Sequence, residues 1–285
     1  PFLKAGRLSM RLPAVNIAVQ AARKGAAVIL RHYHRPEALT VSDKGQYDFV
    51  TEVDRATEAE IVRELKRAYP DHAILGEESG VSGKPSRYQW VIDPIDGTSN
   101  FLRGLPHFAI SIALLEDGVA QHGLVYDPVR DEMFIASRGR GATLNDRKIR
   151  CSQRNGLPGA LLCTGFPFRQ RARLAGQLRM TKSLLEEAED IRRTGSAALD
   201  LAYVAAGRLD GYFEYALKPW DMAAGALLVR EAGGVMLDFD GSENWYESGN
   251  VIAGNLKVAA AMLARIKPHL SKRKAEADSE DGAEG

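Results

Sequence analysis

The run Trp90-Val91-Ile92-Asp93-Pro94-Ile95-Asp96-Gly97-Thr98 constrains this chain more than any other. A β-forming apolar stretch ends there in two aspartates three residues apart. Pro94 fixes its own φ and biases Asp93 toward extended backbone, so the segment reads as a stiff loop following a strand. A loop of that kind holds two carboxylates converging on one point. Gly97 lets backbone come close to a ligand, and the Gly97 and Thr98 amides can receive a phosphate as a nest. The plain alternative is a polar turn, because Asp-Gly is a common turn dipeptide.

Three further acids bear on that choice. Glu77, in Gly76-Glu77-Glu78-Ser79, follows a short apolar strand; read alone it is an ordinary surface acid. Asp221, after Trp220, opens an alanine-rich helix and by itself reads as an N-cap. Asp54 alone is a first-turn acid favoured by the helix dipole. Together these side chains describe an all-oxygen site, which suits a hard cation such as Mg²⁺. The six histidines are scattered apart from His32 and His34, and zinc-type ligand spacings are missing. There is no Walker loop, no Gly-x-Gly-x-x-Gly after a strand and no Gly-x-Ser-x-Gly elbow.

Periodicity places these pieces on elements. Apolar residues at helical spacing predict helices over about 14–31 and 53–69, with Thr51 and Asp54 at capping-box-like spacing and Pro70 as a stop. Short strand-like runs follow from Ala73 to Ala136, punctuated by Asp117-Gly118 and Asp127-Pro128, which reads as an antiparallel meander. The second half alternates strands with helices, including helices over 171–188, 196–206, 221–232 and 256–270. Helices and sheet in blocks followed by alternation give an α+β half and an α/β half. With 285 residues, about two domains or one large α/β unit are expected. The division predicted is a leader (1–9) ahead of Met10, an N-terminal lobe (10–155), a C-terminal lobe (156–270) and a disordered tail (271–285).

Charge and cysteine usage narrow the setting. Lys plus Arg number 38 and Asp plus Glu 37, so bulk charge favours neither nucleic acid nor membrane. Cys151 and Cys163 read as free thiols of a reducing compartment, and no apolar run approaches the ~18 residues a membrane span needs. A cytoplasmic protein is expected. Residues 138–193 depart from the balance, with thirteen lysines and arginines against five acids. Arg169, Arg171, Arg173 and Arg179 are expected on a helix whose Ala172, Leu174 and Leu178 face inward. This patch reads either as a contact for RNA or an acidic partner, or as a solvated face. No aromatic side chains interleave with the arginines, which weakens single-stranded RNA binding.

Four pieces in order, Asp54 within Val50-Thr51-Glu52-Val53-Asp54, Glu77 within Gly76-Glu77-Glu78-Ser79, the run Asp93 to Thr98, and Trp220-Asp221, resemble the inositol monophosphatase family of Mg²⁺-dependent, lithium-sensitive phosphatases. Gly195-Ser196-Ala197-Ala198 and Glu214 match as well, and the resemblance covers about residues 13–267. It implies a layered α-β-α-β-α sandwich, usually a homodimer. It further implies two or three Mg²⁺ ions held by Glu77, Asp93, Asp96, Asp221 and the Ile95 carbonyl. Thr98 and Asp54 would orient and activate the attacking water, with the Gly97 and Thr98 amides on the phosphate. Gly195, Ser196, Ala197 and Glu214 would form the substrate wall, Glu214 accepting from ring hydroxyls of a phosphorylated polyol. Lys44 sits near a family lysine, although the loop before Asp54 differs in length. Relatives of similar motif hydrolyse fructose bisphosphate, nucleoside 3′-phosphates or histidinol phosphate. Bacterial members have been linked to transcription antitermination, which gives the basic region a precedent for an RNA or transcription-machinery partner.

Overall fold

Two amphipathic helices form the first layer. In this computed structural model, residues 12–33, 41–45, 48–167 and 170–270 are described, without the side chains of 41–51. The predicted leader, Arg169, the tail and the Lys44 side chain lie outside the described residues. Helix α1 (Pro13–Tyr33) buries Val15, Ala18, Val19, Ala22, Ala26 and Ile29, the stripe its sequence predicts. A hairpin follows, β1 (Val41–Gly45) with β2 (Asp48–Thr51). Helix α2 (Glu52–Ala68) then buries Ile61 and Leu65. Asp54 and Glu58 are buried on that same i, i+4 stripe, so one helix face carries both apolar packing and carboxylates.

The next layer is an eight-stranded sheet. Its strands are β3 (Ala73–Gly76), β4 (Gly80–Ser82) and β5 (Tyr88–Asp96). After a short helix α3 (Thr98–Leu102) come β6 (Ala109–Glu116), β7 (Val119–Asp127), β8 (Glu132–Ser137), β9 (Gly141–Leu144) and β10 (Arg147–Ile149). Spatial order is β10-β9-β8-β7-β6-β5-β3-β4, antiparallel except for the parallel β3–β5 pair. The meander from β5 to β8 matches the expectation. Strands β4, β9 and β10 have three or four residues each and mostly half-exposed side chains, too little pattern to read in advance.

The second half supplies β11 (Leu161–Thr164), α4 (Leu174–Leu185), β12 (Asp190–Arg192), α5 (Ala197–Ala205), β13 (Gly211–Glu214), α6 (Pro219–Glu231), β14 (Val235–Leu237), α7 (Trp245–Ser248), β15 (Val251–Gly254) and α8 (Leu256–Ile266). Its five-stranded mixed sheet runs β12-β11-β13-β15-β14. Helices α1 and α2 cover one face of the large sheet, α5 and α6 lie between the two sheets, and α4 and α8 cover the far side. This is the α-β-α-β-α sandwich. The central core joins Val91, Ala113, Val125 and Phe134 of the large sheet to Leu201, Met222, Leu228 and Tyr212. Helix α6 is buried continuously from Asp221 to Val229, as a helix packed on all sides must be.

Three local expectations are corrected. The predicted stiff loop at Asp93 is strand: β5 continues to Asp96, with its pairing to β6 irregular between Asp93 and Asp96. Pro94 falls in that irregularity, where its missing N–H costs no ladder bond. Asp221 is the third residue of α6 rather than its N-cap; Lys218 is the N-cap and Pro219 occupies the first position. On α4, Gln177, Met180 and Leu184 are buried, whereas Ala172, Leu174 and Leu178 are exposed, Leu178 by 51%. The residues before the helix, Arg171–Arg173, form a 3₁₀ turn, which advances fewer residues per turn and shifts the phase of the face. Gln177 then fixes that phase by donating to Thr164 Oγ1 at 2.6 Å.

Candidate active site

The carboxylates converge because of strand register. Asp93 pairs with Ser111 across β5–β6. The Ser111 hydroxyl donates to the Trp220 carbonyl at 3.1 Å, which pins the start of α6 beside Asp93. Trp220 precedes Asp221, so one register pair brings together acids far apart in sequence. Asp93, Asp96 and Asp221 each place a carboxylate oxygen within 4.8 Å of the others.

In each of the three, one oxygen is held by a protein donor, which sets where the other points. Asp93 Oδ1 accepts from the Ile95 amide at 3.0 Å. Asp96 Oδ2 accepts from the Ser196 hydroxyl and the Ala198 amide, both at 2.6 Å. Asp221 Oδ2 accepts from the Lys218 amide at 2.7 Å. Ser196 is the N-cap of α5, so Asp96 reaches across to the N-terminus of a middle-layer helix.

Electrostatics in this cluster are unfavourable without a cation. Burial, then the charges of Glu77, Asp96 and Asp221, push the Asp93 carboxyl well above its ordinary range. Burial and the Asp221 charge raise Asp96 to about 7, against the opposing bonds from Ser196, Ala198 and Ala197. A divalent cation inverts this situation, since it becomes the largest local charge. The donor set of carboxylates with a nearby carbonyl, without His or Cys, fits a hard cation.

A cavity of about 570 Å³ opens onto these groups. Glu77, Asp93, Ile95, Asp96, Gly97, Thr98, Gly195, Ser196, Ala197, Glu214 and Asp221 all line it. Glu77 lies against Asp93, with which it shares a hydrogen bond. Asp54 enters through Thr98, whose Oγ1 lies 3.0 Å from Asp54 Oδ1 and 3.0 Å from the Ile95 carbonyl. Gly97 caps α3 at φ 100°, a left-handed conformation costly for side-chain-bearing residues, and a Cβ there would meet the Gly195 carbonyl at 3.2 Å. Glu214 is raised to about 8, first by burial and then by Asp221 and Asp200, while the Tyr212 hydroxyl bonded to it and Arg193 act in the other direction. Arg103, Arg171 and Arg193 also line the cavity.

Several contributors were not singled out from the sequence. Ser111 gives no signal of its own within the apolar run Phe108 to Leu115. Asn100 donates to the carbonyls of His107 and Thr194, tying α3 to the approach to α5. Gly165 makes room for Glu214: a Cβ there would fall within 2.2 Å of that carboxylate. Glycine packed against a distant side chain leaves no local sequence signal.

The layered fold and this acid cluster define a phosphatase class. The chain belongs to the inositol monophosphatase family, whose model matches residues 11–271. It is 54% identical over 263 residues to the Nus factor SuhB of Pseudomonas aeruginosa, covering 90% of this chain and 97% of that relative. Among solved structures, it resembles the extragenic suppressor protein SuhB from Bartonella henselae, with a TM-score of 0.86 and 43% identity over 89% of this chain and 98% of that one. It also resembles SaIMPase-II, solved with bound inositol monophosphate, at TM-score 0.78 and 25% identity, covering 94% and 99%. Among the described residues no helix is long and apolar enough to cross a membrane.

Proposed function

We propose that this chain is a Mg²⁺-dependent, lithium-sensitive phosphomonoesterase of the cytoplasm, acting on a small phosphorylated polyol, inositol 1-phosphate in the first place. The observation that carries the reading is the convergence of Asp93, Asp96 and Asp221 within 4.8 Å of one another, beside a cavity sized for a sugar-like ester. Glu77, Asp93, Asp96, Asp221 and the Ile95 carbonyl would hold two or three Mg²⁺ ions. Bound there, Mg²⁺ supplies charge that polarises the phosphate and stabilises entering and leaving oxygens of an in-line displacement.

The chain's own residues supply orientation. The Thr98 hydroxyl has one proton and two acceptors at equal distance, Asp54 and the Ile95 carbonyl. Were the Ile95 carbonyl to serve as a metal ligand, that proton would go to Asp54, leaving the Thr98 oxygen to accept from the attacking water. The Gly97 and Thr98 amides receive phosphate oxygens. Glu214, buried and bonded by Tyr212, offers an acceptor to substrate hydroxyls from the opposite wall. A division into lobes at 10–155 and 156–270 is supported by a cavity lining drawn from both halves of the chain. The family resemblance supports a homodimer, which sizing by light scattering tests.

Phosphate release from inositol 1-phosphate, fructose bisphosphate, a nucleoside 3′-phosphate, histidinol phosphate and p-nitrophenyl phosphate tests the reading. Mg²⁺-dependent turnover is expected with all simple esters, and the highest kcat/KM with inositol 1-phosphate. Turnover that survives chelation of Mg²⁺, or none with any ester, would overturn it.

A second role has its own observation. Leu174 and Leu178 stand exposed near Arg171 and Arg173, a mixed apolar and basic surface next to the cavity, which Arg171 also lines. The SuhB relative's designation as a Nus factor supports a transcription-machinery or RNA partner for this surface. A salt-dependent RNA gel shift lost in Arg171→Glu/Arg173→Glu and kept in Asp93→Asn is the expected outcome. No shift in the parent chain would remove RNA as the partner.

A further inference from the structure

The metal assignment above leaves Glu77 oddly placed. It stands just past the end of β3, in a turn between two short strands, where local structure offers little to fix a ligand. Its own amide donates to the Ile92 carbonyl at 3.1 Å, which ties its backbone to the strand carrying Asp93. The residues after it are held from elsewhere. Glu58, on α2, is 3% exposed. Its Oε2 accepts from the Glu78 amide at 2.9 Å, and its Oε1 accepts from the Ser79 amide at 2.8 Å. Each carboxylate oxygen thus takes one of two consecutive backbone donors, directly after Glu77. Charge-assisted bonds of this kind are stronger and more directional than neutral ones.

The space around that carboxylate is fitted to it. A Cβ on Gly76 would fall 2.5–2.6 Å from the Glu58 carboxyl atoms, so the residue before Glu77 must be glycine for the carboxylate to sit where it does. Glu58 also lies one helical turn after Asp54 on the same face of α2. One rigid face therefore touches both sides of the site, Thr98 through Asp54 and the Glu77 turn through Glu58.

We infer that Glu58 is a positioning residue: it preorganises the Glu77 turn for cation binding, and α2 thereby couples the cation site to the Asp54–Thr98 pair. The inference rests on the metal reading proposed above. Partners of this outer kind are worth about 10–100-fold in metal affinity or activity.

The test uses Mn²⁺ as the probe, with binding to the full chain followed by electron paramagnetic resonance. Glu77→Gln, Glu58→Gln and the double variant are compared with the parent, each first checked for native circular dichroism and cooperative melting. Glu58→Gln keeps one acceptor oxygen and replaces the other by a donor that cannot bond an amide N–H. It should weaken Mn²⁺ binding about 10-fold, and the double variant should be little weaker than Glu77→Gln, because Glu58 acts through Glu77. Weakening by Glu77→Gln but not by Glu58→Gln would overturn the inference while leaving the metal reading intact. Unchanged binding in Glu77→Gln would remove that ligand from the metal reading, and the inference with it. Amide hydrogen exchange of the parent chain gives a readout that needs no variant. The Glu78 and Ser79 amides should be protected in chelator-treated protein, before any cation is added. Exchange of both at open-loop rates would overturn the inference even if Glu58→Gln fails to fold.

Discussion

The two walls of the cavity partner their buried acids differently. On the wall built from β5 and the start of α6, the carboxylates of Asp93, Asp96 and Asp221 face one another, and mutual repulsion adds to burial. On the wall built from β13 and α5, each acid has a hydroxyl of its own: Tyr212 donates to Glu214, and Thr194 donates to Asp200 at 2.5 Å. Arg193 also lies close enough to favour the charged form of both. Asp96 has a hydroxyl too, from Ser196, and Glu214 is still raised to about 8 with Asp221 and Asp200 among the causes, so what sets the second wall apart is the nearby Arg193.

Asp93→Asn probes the first wall and should have the largest effect. Turnover should fall by ~10³-fold or more, equivalent to about 4 kcal/mol of barrier. Asp93 is 1% exposed, so its replacement acts inside a buried cluster. Removing one of the repelling charges should raise the melting temperature of chelator-treated protein by about 2–4 °C if the relief is ~1 kcal/mol. A lower melting temperature measured by calorimetry would contradict the contrast between the walls.

Thr98→Ala and Asp54→Asn should each lower kcat by ~10²–10⁴-fold, with KM changing less. The double variant should lose little beyond either single one, because the two act as a unit. Steady-state kinetics at fixed Mg²⁺ check this, and fully additive losses would separate the two residues. Glu214→Ala tests the second wall. It should raise KM for inositol 1-phosphate by about 1.5–3 kcal/mol of lost binding and leave p-nitrophenyl phosphate nearly unaffected. Equal effects on both substrates would deny Glu214 a specificity role.

The smallest effect is a pH slope. Glu214 rises from 4.5 to about 8 and Asp200 from 3.8 to about 7 in the folded chain. Between those limits the folded state binds more protons than the unfolded one, so stability falls as pH rises from about 4 to about 8. Melting followed across that range in saturating Mg²⁺, which quiets the first wall, should retain a fall that Glu214→Gln and Asp200→Asn each reduce. A slope unchanged by both substitutions would show that the second wall carries no strain.

The legible part of this molecule was its long-period pattern and its acids. The α1 stripe and the β5–β8 meander were readable from local spacing and the run Asp93 to Thr98 from its own pattern, whereas Ser196 and Glu214 came forward only through the family resemblance, and Gly165, Arg103 and Arg193, which also line the cavity, not at all. Asp93 to Asp96 was misread as loop because Pro94 argues locally against strand, while pairing with β6 on both sides of the irregularity overrides it. The α4 face was misread because a 3₁₀ turn ahead of Leu174 changes the phase, and only the contact with Thr164 discloses it. Ser111, Asn100 and Glu58 act through partners many residues away, and a single sequence carries no trace of such pairings.

The burial of α6 between the two sheets has a consequence for how the protein is made. Asp221 stands at the third position of a helix whose residues through Val229 have no solvent-facing side, so the helix has no stable seat until both sheets exist. A chain still emerging from the ribosome can complete the large sheet by Ile149, yet it lacks the acid that closes the cluster. On the metal reading proposed above, cation affinity would therefore arrive late in synthesis and all at once, and a truncated product left by premature termination would be inert rather than partly active.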